Sequence, residues 1–257
     1  MLSVFMPTIR THLLEKWYES LEQSCNRHPF EVLLCGPFGV PDALKSKNNI
    51  KFIKDFGSPT RSAQLAAIEA SQKYLYHVTD DILFYPNVVS NEIDRMEDNT
   101  ITALTYTEGV GYSGDKLPPN YWYAPNAYPG WPGVNQSWGI GVHFMVDTEL
   151  FKKYGGFDCR FDYLNHAGHD LLFRMQKDGV KYKVSQETAS KADWMPGISG
   201  DHEAIYVAQT FHDDPLFKSI WITGRENLRV ELDNWKDQPD LWITRFDSKE
   251  IEKYEDL

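Results

Sequence analysis

Cysteine is scarce and odd in number: the 257 residues include 3, Cys25, Cys35 and Cys159. No two of them have the spacing of a zinc ribbon, and three make a poor disulfide framework. Positive charge is also short. Against 37 Asp and Glu stand 26 Lys and Arg, a formal net charge of −11. A sequence-independent grip on nucleic acid, or on an anionic membrane surface, needs the opposite balance. Long apolar runs are missing, and no stretch reaches the ~18 residues of a membrane span. The opening residues, MLSVFMPTIRTHLL, lack the charged head and long apolar core of a secretory signal. These absences predict a soluble, cytoplasmic protein. Repeats and low-complexity tracts are absent too.

Aromatic residues are abundant, with 8 Trp, 14 Tyr and 14 Phe. They can fill a core or offer flat faces to sugars and bases. Short apolar runs at 3–6, 30–35, 50–53, 74–78 and 100–106 read as strands. Between them lie stretches of helical spacing, such as Leu13, Leu14, Trp17, Tyr18 and Leu21. Ser58-Pro59 supplies an N-cap and a first-turn proline for a helix expected to reach about residue 73. Alternating strands and helices imply βαβ units and a largely parallel sheet. In such sheets ligands bind beyond the carboxyl ends of the strands, at the switch point. Residues 109–137 differ: they lack periodicity and are dense in Gly, Pro, Tyr and Trp. They read as an ordered lid or binding loop, or as an aromatic satellite core. Regular structure resumes with a strand at 141–147 and helices at 148–154 and 168–178, then a strand at 180–184.

Asp80 and Asp81 sit side by side at the end of the fourth strand. Burying either without a partner is expensive, so a positive group should face them. A strand-end acid pair suits a hard divalent cation whose sphere is completed by substrate phosphates. A capped turn of solvated acids is the alternative.

Four segments, in order, carry a resemblance. They are SVFMPTIR at the first strand, VTDDILFYPN at the acids, ELFKKYGGFD, and HDLLFRMQKDG, and they span about residues 1–180. Together they resemble the GT-A-fold glycosyltransferases of the large family 2 group. The resemblance implies an α/β, Rossmann-like GT-A fold, with a mixed, mainly parallel central sheet flanked by helices. It implies one domain over 1–227, divided into a nucleotide-sugar-binding half (1–108) and an acceptor-binding, catalytic half (109–227). A C-terminal extension, 228–257, would follow as an appendage or an oligomer contact. The implied activity moves a sugar from a nucleotide-diphosphate donor to a hydroxyl acceptor, with inversion. A UDP-sugar is the favoured donor and a GDP-sugar the alternative.

The resemblance also implies site residues. Asp81 would contact Mn2+ or Mg2+, with His212 as an added ligand and His202 as its runner-up. Asp80 would face the donor's ribose or sugar. Thr8, Arg10, Asp55, Arg61 and Gln64 would contact the donor, Asp55 replacing an acid absent after the second strand (Cys35-Gly36-Pro37). Trp122, Trp131 and Trp194 would stack on acceptor sugars, above Gly155 and Gly156. The general base would be Asp170 or His169, because the family's usual acid falls on Gly168 here. That missing acid motivates a second reading, a non-catalytic glycan- or nucleotide-binding module. A nucleotidyltransferase ranks lower, since no Gly-rich triphosphate loop follows the first strand.

Overall fold

The computed structural model describes residues 1–108, 122–123, 130–192 and 208–223. Trp194, His202 and the extension at 228–257 lie outside them, as does most of the expected loop.

The strands are β1 (Leu2–Pro7), β2 (Phe30–Gly36), β3 (Ile50–Lys54), β4 (Tyr74–His77), β5 (Ile82–Phe84), β6 (Thr100–Glu108), β7 (Trp122–Tyr123), β8 (Gly139–Ile140), β9 (Phe144–Asp147) and β10 (Lys181–Ala192). The helices are α1 (Leu14–Ser24), α2 (Pro59–Ile68), α3 (Val88–Asp94), α4 (Thr148–Lys153), α5 (Leu164–Lys177) and α6 (Asp214–Thr223), with a π-turn at Gln209–Asp213 leading into α6. Eight strands form one sheet in the order β3-β2-β1-β4-β9-β6-β10-β5. The β1–β2, β2–β3, β1–β4 and β6–β10 pairings are parallel, and β9 and β5 join antiparallel. The two halves expected from the sequence therefore share one sheet, because β9 lies between β4 and β6.

Both faces of the sheet are covered, so its strands read as unbroken apolar runs. Side chains alternate between two cores. Val4, Met6, Val32, Leu34 and Tyr76 point to one face, beneath Trp17, Tyr18 and Leu21 of α1 and Val89 and Ile93 of α3. Phe5, Leu33, Leu75 and Val146 point to the other, beneath Ala63, Ala66 and Ala67 of α2, Leu171 and Leu172 of α5, and Phe217 and Trp221 of α6. The three cysteines are free and buried within this packing.

Several boundaries differ from the sequence expectation; the strand expected at 141–147, for one, covers only Phe144–Asp147. α2 ends at Ile68, since the Glu31 carboxylate takes the Ser71 amide (2.8 Å) and hydroxyl (3.0 Å) and turns the chain toward β4. α5 begins at Leu164 because a distant residue, Asp213, caps it (below). β10 runs on past Val184 to Ala192, through a register irregularity against β6.

Candidate functional site

The strand order reverses between β1 and β4: β2 and β3 lie beyond β1, and the chain returns to β1's other side for β4. Open α/β sheets bind ligands at such a point. Here the segment after β1 meets the segment after β4. Thr8 Oγ1 donates to Asp80 Oδ2 at 2.9 Å, and the amides of Ile9 and Arg10 reach the same oxygen at 3.3 and 3.2 Å. Arg10 Nε donates to Asp80 Oδ1 at 2.8 Å, and Nη2 joins it. Arg10 Nη1 lies 3.5 Å from Asp81 Oδ2. The positive group facing the acids is thus Arg10. Burial works to raise the pKa of Asp80, but the Arg10 charge and these hydrogen bonds outweigh it, and the carboxyl is held below its usual value. Gly36 is needed for this approach, because a Cβ there would lie 2.0 Å from the Thr8 carbonyl oxygen.

Two expectations change. Asp80 is 3% exposed, and its five donor contacts use up the roughly four lone-pair positions of a carboxylate. It anchors Thr8 and Arg10 and has no capacity left for a ribose, a sugar or a cation. Thr8, 3% exposed, likewise directs its hydroxyl to Asp80. Asp81 differs: its side chain is 17% exposed. Among the described residues, two carboxylates against one guanidinium leave one negative charge, so these residues fit the implied Mn2+ or Mg2+ through Asp81 alone.

Under the acids lie two histidines that the sequence reading passed over. Thr79 Oγ1 is 3.2 Å from His143 Nε2, and His77 Nδ1 is 2.7 Å from the Val142 carbonyl oxygen. Burial lowers the pKa of His77 to about 4 and, with repulsion from His77, that of His143 to about 3. Both are therefore neutral supports. A lone histidine in an apolar strand run was the available signal.

The start of α2 lies at the same end of the sheet. Asp55, just past β3, accepts from the Gly57 amide at 2.9 Å and pairs with Arg61 at 2.9 Å. Ser58 caps the helix, its Oγ accepting from the Arg61 amide at 3.2 Å. Gln64 is fully buried. Its Nε2 donates to the Gly155 carbonyl at 3.0 Å and its Oε1 accepts from the Phe157 amide at 2.9 Å. It braces the Gly155-Gly156 turn and is buried out of a donor's reach. Gly156 has φ +70°, and a Cβ there would lie 2.3 Å from Gln64 Oε1. The two glycines thus form a packed turn beneath α5.

Neither expected base is accessible. Asp170 is 2% exposed; Arg174 Nε donates to its Oδ2 at 2.8 Å and Trp221 Nε1 to its Oδ1 at 3.2 Å. Arg174 continues to the carbonyls of Tyr154 and Gly156. Burial, the largest influence, raises the Asp170 pKa against the pull of Arg174. His169 is 6% exposed, and burial, with repulsion from His166, lowers its pKa to about 3. The family motif at Asp170-Leu171 and Arg174 forms an internal brace in this structure. Trp221 completes it. The i, i+3, i+4 spacing of Phe217, Ile220 and Trp221 after Asp214-Pro215 was the missed signal of α6.

The exposed chemistry is at the start of α5. Buried Asp213 accepts the amides of Asp162 (3.0 Å) and Tyr163 (2.6 Å), capping the helix, and pairs with His212 Nδ1 at 2.8 Å. A carboxylate beside Nδ1 orients the ring and leaves Nε2 pointing away from Asp213. The His212 side chain is 42% exposed. Next to it, His166 Nε2 pairs with Asp214 at 2.7 Å. The Asp162 carbonyl accepts the Thr60 amide at 3.3 Å, which places the start of α5 beside the start of α2. Asp162, His212 and Asp213 each bring a ligand atom within 4.8 Å of the others. Three N–H donors already occupy Asp213, so a capped helix and an oriented imidazole account for the cluster. His212, expected beside Asp81 on one metal, has its Nδ1 paired with Asp213 here.

Of the aromatic residues, Trp131 packs on the core with its ring 5.8 Å from Phe217. For Trp122 only the backbone is described, paired with Ile140.

No protein-family model and no curated protein matches the chain in sequence. Solved structures of S. aureus TarS do match in fold. TarS 1–349 in complex with UDP-GlcNAc aligns with a TM-score of 0.56 at 15% identity, covering 76% of this chain and 59% of that one. The fold is GT-A-like. The complex with UDP aligns at TM-score 0.56 and 15% identity, over 76% of this chain and 61% of that one. A longer TarS structure aligns at 0.57 and 13%, over 89% of this chain and 40% of that one. The chain thus spans about 60% of TarS 1–349. Among the described residues, no helix is long and apolar enough to cross a membrane.

Proposed function

We propose that this chain is a glycosyltransferase that moves a sugar from a nucleotide-diphosphate donor to a hydroxyl acceptor. The observation that carries the reading is the contact of Thr8 and Arg10 with Asp80 across the β1/β4 switch point of a GT-A-like sheet. TarS, a fold neighbour, has been crystallised with UDP and with UDP-GlcNAc, which supports a UDP-sugar as donor.

In this reading the diphosphate lies beyond the carboxyl ends of β1 and β4. Arg10, anchored on Asp80, presents Nη1 toward it. A divalent cation held by Asp81 would screen the charge of the departing diphosphate. Asp55 and Arg61 face the same end of the sheet and suit the nucleoside. The acceptor oxygen attacks the anomeric carbon from the face opposite the diphosphate. The bond from that carbon to the phosphate oxygen breaks, and its electron pair leaves with the nucleoside diphosphate. The acceptor's proton passes to His212 Nε2, with Asp213 orienting the ring. One displacement inverts the anomeric configuration.

Incubation with UDP-GlcNAc and simple sugar acceptors tests the reading. UDP release, an inverted anomer by NMR, and loss of release in Asp81→Asn are expected. Absence of both UDP binding and UDP release would refute it. Binding without release would favour the second reading, a binding module, which the placement of Gly168 at the family's usual acid position supports.

A further inference from the structure

We propose that Arg10 is a resident counter-ion that competes with a divalent cation for Asp81 and so sets the cation affinity of the strand-end acids. The inference rests on the donor reading above only for the identity of the anionic ligand.

The geometry is asymmetric. One edge of the guanidinium, Nε and Nη2, is fixed on Asp80 Oδ1. The other nitrogen, Nη1, lies 3.5 Å from Asp81 Oδ2, beyond a good hydrogen bond. The first edge cannot leave without exposing buried Asp80, whereas the Nη1–Asp81 contact is long. Arginine cannot shed its charge. A cation arriving alone on Asp81 therefore meets a full positive charge a few ångströms away. An anionic diphosphate arriving alone meets the net negative charge of Asp80, Asp81 and Arg10 together. Arriving together, each offsets the other's repulsion: the phosphate draws Nη1, and the cation takes the Asp81 oxygen that Nη1 relinquishes. By linkage each then tightens the other equally. A merely structural arginine would give the same fold without this coupling.

The experiment is calorimetric titration of Mn2+ into the full chain, with and without UDP, for wild type, Arg10→Gln, Asp81→Asn and the Arg10→Gln/Asp81→Asn double variant. Wild type should bind Mn2+ weakly alone and about tenfold or more tightly with UDP. Arg10→Gln should bind Mn2+ about tenfold or more tightly than wild type without UDP. The double variant should lose that gain. No gain in Arg10→Gln, or a gain that persists in the double variant, overturns the proposal. If Arg10→Gln fails to fold, Arg10→Lys serves: its single head cannot span both acids, so it should show a partial gain, and unchanged affinity overturns the proposal. A gain in Arg10→Gln with no effect of UDP on wild type upholds the competition at Asp81 and refutes the donor reading.

Discussion

Arg174 Nε lies 2.8 Å from Asp170 Oδ2, one turn apart on α5, and neither side chain is more than 6% exposed. Removing one partner of a buried ion pair strands the other, at about 3–5 kcal/mol. Asp170→Asn should therefore lower stability by about that amount, read by urea unfolding, while the folded fraction still binds UDP. Full stability with turnover alone abolished would restore Asp170 as the base.

The Gln64 bracket leads to a second expectation. Gln64→Ala leaves the Phe157 amide and Gly155 carbonyl buried without partners, at about 1–3 kcal/mol. Gly156→Ala should cost more, combining positive-φ strain of about 1–2 kcal/mol with a Cβ 2.3 Å from Gln64 Oε1. Thermal melts of the two variants would show Gly156→Ala lower; the reverse order would count against the bracket.

Acid should destabilise the fold through buried imidazoles. His77, His143 and His169 have ordinary values of 6.5 and folded values of about 4, 3 and 3. The unfolded chain therefore binds protons that the folded chain does not. Stability is intact above pH 6.5 and falls as pH drops toward 4, by up to about 1.4 kcal/mol per pH unit for each group. His169→Gln should flatten that slope in urea unfolding between these pH values. A slope equal to wild type would show that His169 is protonated in the fold.

Much of this fold is legible in the sequence because local rules act locally. Strands β1 and β2 follow from apolar runs closed by Pro and Gly, β3 and β4 from short apolar runs, and α2 from Ser58-Pro59. The acid pair is legible as a strand-end feature. Its partner is not, since Arg10 meets Asp80 across a sheet, 70 residues away. The start of α5 is illegible for the same reason: its cap, Asp213, comes from a segment 50 residues on. The motif Asp-Leu-x-x-Arg predicts a helix carrying an acid, and that much holds. Whether the acid faces a cleft or a core depends on Trp221 and Arg174, which only packing brings together.

At the start of α5, His212→Asn should cut turnover by about 100- to 10,000-fold, the range of a lost general base. Because its side chain is 42% exposed, the melting temperature should barely change. Asp213→Asn should lower both, since it loosens the cap on α5 as well as the imidazole. Steady-state UDP release and thermal melts on the same samples separate the two effects. Full turnover in His212→Asn would remove it from the mechanism.

The proposed mechanism places a nucleotide diphosphate over the carboxyl ends of β1 and β4. Calorimetric titration of UDP in the presence of Mn2+, comparing wild type with Asp81→Asn, tests it most directly. Wild type should bind UDP, and an Asp81→Asn variant that melts at the same temperature should bind it about tenfold or more weakly. Equal affinity in the two proteins, or no binding by wild type, would contradict it.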